Sequence, residues 1–333
     1  VAGWSASSAV TGAGPPRSRS STTLTAAAER PVDPRQALLR AKLNALVRRH
    51  WGAETGGVAA PFPNGAGLRS PSPGGPAFVL VDDASVRSLG GVLAWALRHQ
   101  AGEVHLLADS SEEVAALLAR RAQAFALPVT VWRLDPPSLV KAVPAGFFPP
   151  PPLPAEAAPF ADVLRGAGVE PVVEFGVLTG EVLGLEVARV IVDGAGARLE
   201  VGVGSQDRTF HRDLEPNRAP GDVLAEVVAL IRSFRTPTGS AHLANSLAGE
   251  RWLRSVIVAH PDLVGAALLA PLPPAVPRGD LRTATAAMAA GVDAAGNPVV
   301  VAASKGIDLD LVPAAADARR ASGLVDARLV LAL

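Results

Sequence analysis

No cysteine occurs in the 333 residues. That excludes disulfides and every thiolate metal site, and it leaves Asp, Glu and six histidines as the available metal ligands. The lack fits a reducing compartment, and a cytoplasmic location is expected. An excess of either charge is also missing. The formal net charge is zero at pH 7 and 49% of the residues are hydrophobic, so neither an acidic solvating chain nor a uniformly basic nucleic-acid binder is indicated. Long apolar runs are absent too. The nearest, from Val256 to Ala270, is interrupted by His260, Pro261 and Asp262, short of the ~20 apolar residues that span a bilayer, and no membrane partner is expected. Lysine is scarce, found only at Lys42, Lys141 and Lys305. Arginine replaces it in a chain rich in Ala, Gly, Pro and Val, a coding bias that is by itself no sign of phosphate recognition.

Proline and glycine punctuation divides what is present. Residues 1–33 are rich in Ser, Thr and Ala, lack an acid before Glu29 and lack the apolar core of a secretory signal, so a disordered extension is expected. Within 34–60, Leu38, Leu39, Leu43, Leu46 and Val47 recur at helical spacing and predict a helix. Residues 61–76 read as a linker. Residues 77–143 alternate short apolar strands (78–81, 104–108, 129–134) with helical segments (86–99, 112–125), the pattern of βαβ units on a parallel sheet. Residues 144–159 hold a run of prolines and predict an extended polyproline spacer. Residues 160–333 contain a short helix at 161–166, a glutamate-rich hairpin, helices at 221–235 and 242–258, and a final βαβ segment of 298–303, 312–322 and 327–333. The chain closes on the apolar ARLVLAL, as a fragment would. The expected fold class is therefore α/β: an N-terminal three-strand parallel βαβαβ unit plus a C-terminal α/β part with a β-hairpin and a terminal βαβ segment, the two parts able to share one sheet.

The candidate chemical site is the segment EFGVLTGEVLGLEVARVIVDGAGARLEVGVG, residues 174–204. It places Glu174, Glu181, Glu186 and Glu200 in apolar surroundings, where a carboxylate must find a cation, a metal or a proton. Hairpin parity decides between these. With a four-residue loop at 194–197, Glu200 shares a face with Arg189, Glu186 lies on the other face, and an ordinary ion pair results. A loop one residue longer or shorter puts Glu186 and Glu200 on one face, where with Glu174 they could hold Mg²⁺ or Mn²⁺. This block resembles the core of the PD-(D/E)XK nuclease superfamily. The resemblance implies a metal held by Glu174, Glu186 and Glu200 and a lysine two residues after the last acid. That position is Gly202, so Arg189 or Arg208 would have to stand in. The block also resembles uncharacterised actinobacterial proteins, which implies no mechanism.

Other constellations have simpler structural readings. Asp83, Asp109 and Asp135 end the three early strands, where open parallel sheets bind ligands; equally, Asp83 can cap the next helix, and Ser110 to Glu113 can form a capping box after Asp109. Gly90 and Gly91 lie inside a helix, so a dinucleotide fingerprint is absent. Lys305, between a strand and a helix, suits an anion, although Asp310 reads as that helix's cap. Residues 206–213 read as a polar, solvated loop. His242 and His260 lack zinc-ligand spacing. On the helix carrying Glu250, Arg251, Trp252 and Arg254, the tryptophan is expected in the core and the arginines in water. Three classes of function follow: a non-catalytic interaction or scaffold protein with a protein partner, a metal-dependent nuclease or phosphoesterase acting on nucleic acid, and a nucleotide or small-anion binding module. The first is favoured because it needs nothing that the sequence lacks.

Overall fold

A computed structural model describes residues 33–52, 57–214, 218–236, 245, 247–277 and 285–333. The expected extension, up to residue 32, and His242 lie outside them. Helix α1 (Pro34–Trp51) starts behind Asp33, whose carboxylate accepts from the Arg35 amide, and it buries Leu39, Leu43 and Val47. It ends well short of residue 60. Strands β1 (Val58–Phe62) and β2 (Gly65–Arg69) form an antiparallel hairpin, so much of the segment read as a linker is sheet. The prolines and glycines there have other uses. Pro61 sits on an edge strand and its carbonyl accepts from Trp95 Nε1 at 3.0 Å. A Cβ on Gly67 would lie 2.4 Å from the Trp95 ring, so the glycine marks close packing.

The first sheet runs β1-β2-β3-β4-β5-β6. Its centre is the expected parallel unit of β3 (Pro76–Val81), β4 (Glu103–Ala108) and β5 (Val129–Asp135). Strand β6 (Ser138–Lys141), which the sequence reading missed, returns antiparallel on β5. Alternate residues of β3 serve opposite faces. Val79 and Val81 pack with α2 (Ser88–Arg98) and α3 (Glu112–Ala122), while Phe78 and Leu80 pack with α1. Burial on both faces is why β3 reads as a continuous apolar run.

The second sheet is an antiparallel meander of β7 (Glu170–Glu174), β8 (Val177–Val182), β9 (Leu185–Asp193) and β10 (Gly196–Val201). One face buries Leu178, Val182, Leu185, Val190 and Val201 against α4 (Phe160–Gly166) and α6 (Pro220–Phe234). Between β10 and α6 lies α5 (Gly204–Leu214), a helix where a polar loop was expected. The Asp207 carboxylate ties down its start by accepting from the Val203 amide at 2.7 Å.

The third sheet runs β11 (Leu268–Leu272), β12 (Ala287–Val292), β13 (Pro298–Ala303) and β14 (Arg328–Ala332), with β13 and β14 parallel. The expected terminal βαβ segment is thus present, with α8 (Leu311–Ala321) as its crossover. Helix α7 (Gly249–Ala259) covers the face of Val299 and Val301, and α8 covers the face of Met288 and Ala302. The fold is α/β, but the early and late strands do not share one sheet: they lie in three. Each helix on the third sheet also reaches a neighbour, α8 packing on α2 and α3 and α7 lying against the β8–β9 turn at Gly184. Among the described residues no helix is long and apolar enough to cross a membrane.

Candidate functional site

The hairpin loop is the two residues Gly194 and Ala195, since Gly196 pairs with Asp193 and Glu200 stands directly opposite Arg189. That even loop has the parity of the ion-pair register, which alone would put Glu186 on the opposite face. A bulge reverses this. Between Gly180 and Glu181 of β8 the partners on β9 jump from Ala188 to Glu186, leaving Val187 as the extra residue. Thr179 pairs with Arg189 and Glu181 with Glu186; since Thr179 and Glu181 are two apart on one strand, Glu186 and Arg189 share their face. Glu174, Glu181, Glu186 and Glu200 therefore all lie on one side of the second sheet, the side away from its apolar core.

Arginines fill that face. Glu181 and Glu186 are 1% and 2% exposed and sit opposite one another, an arrangement that is repulsive unless cations intervene. Arg189 grips Glu186 through Nε at 2.8 Å and Nη2 at 3.0 Å, and Arg208 from α5 adds a bond at 3.0 Å. Arg251 and Arg254 of α7 take Glu181, Arg254 at 2.6 Å, and Arg251 also bonds Glu174. Arg198 lies 3.3 Å from Glu200. The bond to Glu186 raises the pKa of Arg189, while burial lowers those of Arg208 and Arg254. Among the described residues no three His, Asp or Glu side chains are grouped so as to hold a metal. The position of the missing lysine is explained as well: Gly202 has φ +141°, and a Cβ there would lie 2.7 Å from the Arg208 amide. Arg251 and Arg254, expected to reach water, are 4% and 2% exposed. Their signal was the acidic strand block itself, whose burial demanded cations from elsewhere in the chain.

Of the aspartates at the strand ends, Asp82 and Asp109 meet cations from α1. Lys42 Nζ bonds Asp109 at 2.8 Å, and Arg35 bonds Asp82 at 2.8 Å. Asp83 caps nothing; it occupies a left-handed turn at φ 53°, and α2 starts later, behind Arg87, without a side-chain cap. Within the 110–113 segment expected to cap α3, it is Ser111 that does so, its hydroxyl accepting from the Val114 amide. Asp135 ends a strand at a hairpin, 3.7 Å from Arg133.

A second buried ionic cluster joins α3 to α8, and the sequence reading missed it. Asp317 accepts from Arg120 at 3.0 and 2.7 Å and from Arg121 at 3.2 Å; Arg121 also bonds Asp310. Asp310 thus precedes α8 but makes no side-chain cap. Burial pushes its pKa up to about 6 despite Arg121. Lys305, like Asp83, has no charged partner among the described residues, and it lines a cleft against α7.

Comparison of the chain with models of known families, with curated proteins and with solved structures finds no significant match.

Proposed function

We propose that this chain is a non-catalytic interaction or scaffold protein whose buried carboxylates join its own layers together. One observation carries this reading: each glutamate that would form a metal site has a guanidinium against it, and two of these guanidiniums, Arg251 and Arg254, come from the helix that covers the third sheet. An arginine so placed supplies the positive charge that a metal would otherwise supply, and it is a fixed hydrogen-bonding fork with no open coordination position. A protein partner is part of this proposal; Ile307 and Phe148, 99% and 85% exposed, are the large apolar side chains most open to solvent among the described residues. A reducing, cytoplasmic setting is proposed from the absence of cysteine.

The competing nuclease reading is tested by incubating the protein with single- and double-stranded DNA and RNA in Mg²⁺ or Mn²⁺. No cleavage above the protein-free control is expected. Metal-dependent cleavage that disappears in Glu186→Gln would overturn the proposal.

A further inference from the structure

The cleft between α7 and the turn after β13 has a volume of about 340 Å³ and is lined by Gly249, Trp252, Leu253, Val256, Ser304, Lys305, Gly306 and Leu333. Its walls and its polar groups are of different kinds. Trp252, Leu253, Val256 and Leu333 form an apolar wall. Three sources of positive potential or hydrogen-bond donors also line the cleft.

The first is Lys305, whose stem passes over Gly249: a Cβ on that glycine would lie 2.8 Å from Lys305 Cδ. The second is the start of α7. Its N-cap, Ala248, has no side chain able to accept from the first-turn amides, so that end keeps its partial positive charge and its donors. The first-turn carboxylate, Glu250, is not among the cleft residues. The third is Ser304, 1% exposed, whose hydroxyl has no hydrogen-bond partner among the described residues. A buried hydroxyl left unpaired is unfavourable, and an acceptor entering the cleft would relieve that. The place also suits a ligand, because the turn follows the carboxyl end of a strand in a parallel pair.

We propose that this cleft binds a small carboxylate carrying an apolar chain or ring, the anion against Lys305, Ser304 and the α7 amides and the apolar part along Trp252, Leu253 and Val256. The volume lies at the low end of ligand pockets. One lysine, with no arginine among the lining residues, matches a singly charged group better than a phosphate dianion, which calls for more charged donors. Apolar surface beyond the headgroup would be wasted on a bare inorganic anion. The inference goes beyond the scaffold reading and does not rest on it, since none of the buried glutamates takes part.

The test is calorimetric titration of the full chain with octanoate, and in parallel with octanol, acetate and inorganic phosphate. Octanoate is expected to saturate one site, with octanol and acetate each at least about tenfold weaker. Lys305→Met keeps the stem and removes the charge, and is expected to weaken octanoate about tenfold while leaving octanol unchanged. Lys305→Arg should restore binding. Because Lys305 is exposed, its variants should unfold at the wild-type temperature. Ser304→Ala is expected to weaken octanoate several-fold. No saturable heat with octanoate, equal affinity in Lys305→Met, or tighter binding of phosphate than of octanoate would each overturn the proposal.

Discussion

Arg120 holds Asp317 through two parallel hydrogen bonds, Nε to Oδ1 at 3.0 Å and Nη2 to Oδ2 at 2.7 Å, across 197 positions of sequence. Arg121 shares the same carboxylate. The cluster joins a helix of the first sheet to the crossover helix of the third, as Arg251 and Arg254 join α7 to the second. Both joints use paired arginines one to three residues apart on a helix and carboxylates remote in sequence.

Asp317→Asn leaves Arg120 buried with its counter-charge gone and Arg121 with Asp310 alone. Breaking one side of a buried pair costs about 3–5 kcal/mol, and a loss of this order is expected in urea denaturation. A loss below about 1 kcal/mol, the scale of an exposed pair, would mean that water reaches the cluster.

Asp310 makes stability depend on pH. Its pKa is raised, mainly by burial, from 3.8 to about 6, so between those values the folded state binds more protons than the unfolded one. Its contribution is fully present below about pH 4 and is lost as pH rises through about 6. His105, whose pKa burial lowers, acts in the opposite sense and loses stability as pH falls. The comparison is therefore made as a difference: wild type minus Asp310→Asn, measured by denaturation from pH 4 to 7, should decline with rising pH. A flat difference would contradict the assigned shift.

Helix α7 approaches the β8–β9 turn closely. Gly184 has φ +76°, and a Cβ there would lie 2.2 Å from the Arg251 carbonyl carbon. Gly184→Ala is expected to cost about 1–3 kcal/mol through backbone strain and overpacking. Gly194→Ala in the neighbouring loop, where a methyl would meet nothing within 4 Å, should be close to neutral. Equal thermal shifts in the two variants would show that helix and turn are not packed as described.

Legibility differed by element for physical reasons. The unit from β3 to β5 was readable within a few residues because apolar residues dominate β3 and the second half of β4 and its helices carry regular apolar stripes. The hairpin β1–β2 was not, because Gly67 makes room for a ring that only the fold brings there. The glutamates were readable as buried carboxylates, but their common face was not: it depends on one extra residue, Val187, that no periodicity marks. Arg120, Arg121, Arg251 and Arg254 resemble solvent-facing helix positions by local pattern. What buries them is a second layer contributed by distant sequence.

The guanidiniums against the glutamates of the second sheet bring the charge that a metal would bring, and calorimetric titration with Mg²⁺ and Mn²⁺ checks whether a metal also binds there. For wild type and Glu200→Gln alike, the account predicts no saturable binding of either ion. A single saturable site in the wild type that vanishes in Glu200→Gln would contradict it.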